Sequence, residues 1–403
     1  MRSRPVSIWS PWPPERSGIA DYSAALVSEL RHHLELTAVA REARMDRIVA
    51  PDGVALVSDS QFWSRVDSPT NINIYQMGNH GYFHSWMHPA MLARPGIMVL
   101  HDASLYDFYA TLCGPGSLAF EREISLDLGG GPAPVPTNLG AGSAEVDRLA
   151  LPLTRRLVDA SLATVVHSVW AAERLRQRHP EAAVYVIDQP TWLLGPASAS
   201  ESARPGLDSS RPFTFGVFGG LSRPKRVDWV LRAFAKVHSQ MAATRLQITG
   251  RSDDVELIDE LRRLVVQLGL ESHVAWRLDA HNDGFDSDLL AVDVVVNLRW
   301  PSVGETSATL LRAFGAARPV ITTDLPQYRG FDDLYCWQIR APGAGTTSLP
   351  ELEERMLWAA KHPTDCVQAG RLARQHVELR VSWPKAAERY AEVVQDCLRL
   401  ASR

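Results

Sequence analysis

The chain has 403 residues, a formal net charge of −4 and four cysteines. That length exceeds one typical core and predicts two domains, while a weakly acidic balance with no long basic run argues against nucleic acid as the main partner. Cys113, Cys336, Cys366 and Cys397 lie far apart and match no metal or disulfide spacing, so they are expected to be buried thiols in a reducing, cytoplasmic compartment.

The apolar run after Arg4 stops at Ser10-Pro11, too short for a signal peptide, and no other run approaches the length of a membrane span. A soluble protein is expected, with peripheral contact to a membrane surface at most. Residues 5–9 predict a first strand, 10–18 a stiff Pro-rich loop with one hinge at Gly18, and 19–34 a helix with Leu26, Val27, Leu30 and Leu34 as its apolar stripe. A strand–loop–helix unit of this kind suits an anion at the helix start. Gly18 either brings the backbone close to a ligand or simply makes a turn.

Residues 71–77 alternate and predict a strand before Gly78-Asn-His-Gly81. Residues 96–100 form a second apolar run that ends in His101-Asp102. Polar residues just past the carboxyl end of a parallel strand face the crevice where ligands bind, which makes His101 a site candidate; the alternative is a structural histidine satisfied by Asp102 or by backbone. The Gly/Pro stretch 129–142 lacks periodicity and reads as a long loop or insertion. Residues 163–166 followed by His167-Ser168 repeat the strand-then-polar pattern, and are read as structural, with Ser168 capping the next helix.

Residues 196–212, rich in Ser, Ala and Pro, mark a linker. They separate an N-terminal domain, 1–195, from a C-terminal one, 213–379. In the latter a second alternating series begins, with strands at 213–218 and 244–248 and helices at 227–238 and 255–268. Gly219-Gly-Leu-Ser-Arg-Pro-Lys-Arg226 stands at its first turn. Gly220 and its neighbour free the backbone to approach a ligand, and Arg223, Lys225 and Arg226 bring positive charge to the same strand end, a combination that fits a diphosphate.

Asp286-Ser-Asp288 has the spacing of a metal-binding pair, yet it falls where a helix begins, and the helix start is the preferred reading. Residues 294–296 predict a buried strand, the loop Trp300-Pro-Ser-Val-Gly304 breaks it, and Thr306 or Ser307 can cap a helix with Leu310, Leu311 and Phe314 buried. Residues 319–324 predict the next strand. A final amphipathic helix, 383–400, carries Ala387, Tyr390, Val393, Val394, Cys397 and Leu398 on one side and can cross back to the first domain from a tail spanning 380–403.

Four stretches together resemble the retaining glycosyltransferases of the large family 4 (glycosyl transferases group 1). They are Pro14-Glu-Arg-Ser-Gly-Ile-Ala-Asp-Tyr-Ser23, Val99-Leu-His-Asp102, Gly219-Gly-Leu-Ser-Arg-Pro-Lys-Arg226 and Arg299-Trp-Pro-Ser-Val-Gly-Glu-Thr-Ser307. The resemblance implies an α/β fold of the GT-B type, two Rossmann-like domains facing across a cleft. It implies a nucleoside diphosphate sugar bound mainly by the C-terminal domain, a glycan, lipid-linked or small-molecule acceptor on the N-terminal one, and no cofactor or metal. Lys225 matches the family's diphosphate-binding lysine; the family's arginine in that turn falls on Gly220, so Arg223 or Arg226 would replace it. His101 resembles the histidine that contacts the donor sugar, and Gly18 the first-loop glycine near the phosphates.

The family's two glutamates, with seven residues between them, fall on Gly304 and Arg312. Glu305, one place later, would take over the contacts to sugar hydroxyls, and Gly304-Glu-Thr-Ser307 reads as a subgroup feature in which the N–H groups of Glu305, Thr306 and Ser307 stabilise the leaving phosphate. The implied activity is transfer of a hexose with retention. One alternative is a catalytically inactive nucleotide- or glycan-binding protein, which the missing glutamates would suit. Another is a sugar epimerase or dehydrogenase, though no Gly-x-Gly-x-x-Gly follows the first strands.

Overall fold

The computed structural model describes residues 5–49, 51–64, 72–129, 147–195, 211–278, 282–341 and 349–400. Most of the Gly/Pro stretch and of the expected linker, 130–142 and 196–210, lies outside them. Contacts divide the chain into two units. The described residues of Met1–Gln189, Val303–Thr306 and Trp383–Arg403 make the first; those of Pro190–Ser302 and Ser307–Ser382 make the second.

The first unit holds seven parallel strands: β1 (Val6–Trp9), β2 (Leu36–Ala40), β3 (Ala55–Ser58), β4 (Ile72–Met77), β5 (Ile97–Leu100), β6 (Ala163–Val166) and β7 (Val184–Val186). Their order in the sheet is β3-β2-β1-β4-β5-β6-β7. The direction of strand addition reverses between β1 and β4, and crevices that take ligands form at such a point, beyond the carboxyl ends of the strands. Helices cover both faces, so β4 is buried along its whole length and not on alternate residues as its pattern predicts. Its polar residues then need partners inside the protein: Trp9 donates to Asn73 Oδ1 at 3.1 Å, and Gln76 meets His101.

One face of this sheet packs against the helices Gly18–Leu30 and Trp383–Leu400. Tyr22 and Tyr390, both buried, share a hydrogen bond of 2.8 Å between their hydroxyls. The C-terminal helix has the predicted face inward, with Ala387, Tyr390, Val393, Val394 and Cys397 all buried. Cys113 departs from expectation by being partly exposed, at the end of a surface helix; the other three cysteines are buried free thiols.

The second unit holds β8 (Phe213–Gly220), β9 (Thr244–Arg251), β10 (Val274–Leu278), β11 (Val294–Asn297), β12 (Val320–Thr323) and β13 (Cys336–Ile339), all parallel, in the order β10-β9-β8-β11-β12-β13. Here the reversal falls between β8 and β11. Their ends carry Gly219-Gly220 and the loop that follows Asn297. The helices Val227–Gln240, Val255–Gln267 and Ala308–Gly315 bury their apolar stripes against one continuous core.

Candidate functional site

In the second unit, the next-to-last residue of β8 is Gly219, whose φ of +95° is open to glycine and costly for other residues. This turn swings the Gly219 carbonyl toward β9, where Gly250 makes room for it. A Cβ placed on Gly219 would lie 2.7 Å from both Lys225 Nζ and Thr309 Oγ1. The glycine therefore keeps open a small space between an ammonium group and a hydroxyl.

Lys225 reaches this point because Arg223–Lys225 is a short 3-10 turn, reversed at Arg226 in left-handed conformation. Its side chain is buried, and Nζ donates to the Phe218 carbonyl at 2.7 Å. Trp300 N donates to the Pro224 carbonyl at 2.6 Å and ties the loop after β11 to the same turn. Thr309 is the second residue of the helix Ala308–Gly315. Of the two predicted caps Ser307 is the one used: it accepts from Leu310 N at 3.3 Å and from Asn297 Nδ2 at 3.0 Å. The first-turn N–H groups without an intrahelical acceptor are thus those of Ala308 and Thr309, a turn later than Glu305 and Thr306.

A glycine-lined gap, an ammonium, a hydroxyl and a helix N-terminus converge here, all at strand carboxyl ends. Such a set of donors suits an oxyanion. Gly220 lies beside it, exposed and with open space where a Cβ would stand.

The other cations of the turn do not join Lys225. Arg223 pairs with Glu260 at 2.9 Å and with Asp254 at 3.5 Å on the surface. Arg226 pairs with Asp228 at 3.0 Å and lies 4.1 Å over the ring of Trp229. Arg312, on the helix Ala308–Gly315, pairs with Asp286 at 2.7 Å and lies between the rings of Phe285 and Trp192, 4.9 and 5.3 Å from their centroids. Asp288 accepts from Thr249 at 2.6 Å and pairs with Arg277 at 2.7 Å. The Asp286/Asp288 pair sits in the helix Asn282–Ala291, and no group of His, Cys, Asp and Glu among the described residues is arranged to hold a metal. Gly304 has φ +79°, and Glu305 folds back to accept from Val303 N at 2.9 Å.

In the first unit, Gly18 opens its helix with open space where a Cβ would stand, and Ser17 caps that helix by accepting from Ile19 N at 3.2 Å. His101, just past β5, does not pair with Asp102, whose carboxylate takes Asn79 N at 2.7 Å. Its Nε2 lies 2.8 Å from Gln76 Oε1 and its Nδ1 3.2 Å from His167 Nε2. His167 in turn donates from Nδ1 to the Ile187 carbonyl at 2.8 Å. Tyr22 stands edge-on to His101, 4.8 Å between ring centres. Burial, reinforced by the neighbouring His167 and His84, holds His101 well below the usual histidine range. Burial likewise pushes His167 down to about 4 and His84 to about 3.

Sequence reasoning singled out Lys225, Ser307 and His101 but not Thr309, Asn297, Gly250 or Gln76, and it preferred a structural reading of His167. Asn297 and His167 did carry a usable signal, a polar residue closing a buried apolar strand. Thr309 and Gly250 carried none, since their role comes from a strand and a helix brought alongside.

Residues 212–333 match the family model described as Glycosyl transferases group 1. Among solved structures the chain is similar to HepE of Anabaena in complex with UDP and glucose, at 14% identity and a TM-score of 0.68, covering 98% of this chain and 100% of that one. It is similar to sucrose-phosphate synthase from Thermosynechococcus elongatus, at 12% identity and a TM-score of 0.70, covering 99% and 100%. It is also similar to WaaG, a glycosyltransferase involved in lipopolysaccharide biosynthesis, at 14% identity and a TM-score of 0.62, covering 96% and 99%. Among curated proteins none matches the sequence. The fold is thus of the GT-B class, with two Rossmann-like domains, and the second unit carries a group 1 glycosyl transferase domain.

Proposed function

We propose that the protein is a retaining hexosyltransferase that moves a sugar from a nucleoside diphosphate donor to an acceptor hydroxyl, without a metal. The observation that carries this reading is the meeting of Lys225 Nζ and Thr309 Oγ1 at Gly219, beside the N-terminus of the helix Ala308–Gly315. Charge grows on the leaving diphosphate as the glycosidic bond breaks. Donors already aimed at it lower the barrier because they need no reorganisation. Lys225, held in place by the Phe218 carbonyl, is the principal donor, with the N–H groups of Ala308 and Thr309 beside it.

In this reading the departing diphosphate accepts the acceptor's proton on the same face, and the pair of carboxylates used by retaining glycosidases is not required. Glu305 serves the sugar hydroxyls, and His101 contacts a sugar within the first unit. Arg312, in the place of a ribose-binding carboxylate, braces the helix through Asp286. The acceptor is a glycan, a lipid-linked sugar or a small molecule. No helix among the described residues is long and apolar enough to cross a membrane. A lipid-linked acceptor, in this reading, is met at a membrane surface. Nothing in the lysine site favours the inactive alternative.

The test is a panel of nucleotide sugars, beginning with UDP-glucose because HepE was solved with UDP and glucose. Binding to the folded state raises its apparent stability. One donor that raises the melting temperature and is slowly split to free nucleoside diphosphate supports the transferase reading. A panel in which no donor stabilises the protein overturns it.

A further inference from the structure

The hydrogen-bond chain around His101 has a fixed direction. A backbone carbonyl only accepts, so the 2.8 Å contact from His167 Nδ1 to Ile187 O places the proton of His167 on Nδ1. A neutral His167 then presents a lone pair at Nε2. The atom 3.2 Å away, His101 Nδ1, must be the donor. His101 is thereby an Nδ1–H ring with its lone pair at Nε2, the less common form of a free imidazole.

That lone pair faces the side-chain amide of Gln76 at 2.8 Å. With Oε1 in that place two acceptors would oppose each other, and the buried Nε2 would be without a partner among the described residues. The two ends of a glutamine amide have nearly the same shape. Turning it sets Nε2 on His101 and removes the clash of acceptors. Every link then has one donor and one acceptor, from Gln76 through His101 and His167 to the Ile187 carbonyl. Tyr22, edge-on to His101 and 5.4 Å from the ring of His167, is pinned by Tyr390 and limits rotation of both rings.

We propose that His167 and Gln76 are positioning residues that lock His101 in a single orientation as the Nδ1–H tautomer, so that His101 meets the sugar as a fixed dipole and takes no proton from it. The functional part rests on the glycosyltransferase reading. The tautomer itself does not, which allows the two to fail separately. Burial of both rings agrees with the uncharged form. A His101 that carries no proton between substrates also fits a reaction in which the leaving diphosphate does so.

The experiment uses the full chain with 15N-labelled histidine and follows long-range proton–nitrogen correlations of the imidazole rings, which distinguish a protonated nitrogen from a lone pair. Wild type at neutral pH is expected to show His101 and His167 each protonated at Nδ1 alone. His167→Gln keeps an acceptor toward His101 and a donor toward Ile187, and should preserve the His101 pattern. His167→Leu removes the acceptor and should move the His101 proton to Nε2, with Gln76 turning to accept it. Gln76→Glu offers a carboxylate to Nε2 and should leave His101 protonated at both nitrogens at neutral pH, a readout that remains if His167→Leu does not fold. Wild-type His101 protonated at Nε2, or at both nitrogens, would overturn the proposal. So would a His101 pattern unchanged in Gln76→Glu. A wild-type pattern as expected, in a protein that splits no donor, would uphold the lock and count against the transferase reading alone.

Discussion

Gly250 lies so close to Gly219 that a Cβ added to it would stand 1.9 Å from the Gly219 carbonyl oxygen. Two adjacent parallel strands, β8 and β9, thus each need glycine at the same register position, Gly219 because of its positive φ and Gly250 because of the carbonyl that this φ displaces. Backbone cannot step aside as a flexible side chain can. Gly250→Ala should therefore destabilise the second unit by about 2 kcal/mol or more, as overpacking does. Gly220→Ala, one residue on and facing open space, should stay within about 0.5 kcal/mol. Urea denaturation of the two variants checks the contrast, and equal midpoints would count against the close approach.

Lys225→Ala removes the ammonium from the anion gap. Turnover of the donor identified in the panel should fall by about a hundredfold or more, the scale of losing one preorganised donor. Lys225→Arg should not restore it, since Nζ sits in a space bounded by the Phe218 carbonyl and Thr309. Steady-state rates on the purified variants decide this, and near-normal turnover in Lys225→Ala would remove the lysine from the reaction.

Acid should weaken the first unit well above the pH at which carboxylates titrate. His167 and His84 have folded-state values of about 4 and about 3, both below the value near 6.5 of the unfolded chain. Between these limits the unfolded state binds protons that the folded state excludes. Stability is therefore fully present above pH 6.5 and is lost as pH falls below it, at about 1.4 kcal/mol per pH unit for each histidine. Denaturation midpoints measured from pH 7.5 to pH 5 should show this slope, and His167→Gln should reduce it. A flat profile over that interval would mean that the histidines are solvated.

Arg374, buried on the helix Pro363–Arg380, donates to the carbonyls of Leu194, Gly315 and Gly195 at 2.7, 3.0 and 3.1 Å and pairs with Glu378 at 3.0 Å. It satisfies the C-terminal end of the helix whose N-terminus forms the anion gap. Arg374→Met keeps the aliphatic stem but takes the guanidinium from those three carbonyls, leaving Gly315 with its bond from Leu194 N at 3.1 Å. A loss of about 3 kcal/mol is expected from breaking bonds to a charged group at a buried site. Donor affinity should weaken with it, measured by thermal shift at saturating and subsaturating ligand; an unchanged melting temperature would refute the clamp.

The alternation of strands and helices was legible from the sequence because each signal is local. The apolar runs at 96–100, 163–166 and 294–296, and the polar residues that close them, act over a few residues of strand. Strands with weaker runs, such as Leu36–Ala40 and Cys336–Ile339, went unread for the same reason, and the first helix stops at Leu30 and not at Leu34. Lys225 and His101 stood out because charge and imidazole at strand ends are unusual. What they touch was decided only in three dimensions. His101 meets His167 across 66 residues, Gly250 meets Gly219 across neighbouring strands, and Thr309 comes from a separate helix to the same space at Gly219 as Lys225, while Arg223, close to that lysine in sequence, is drawn away by Glu260. Local propensity sets which elements form; which side chains share a site depends on strand order, and that order is settled by burial of the whole sheet.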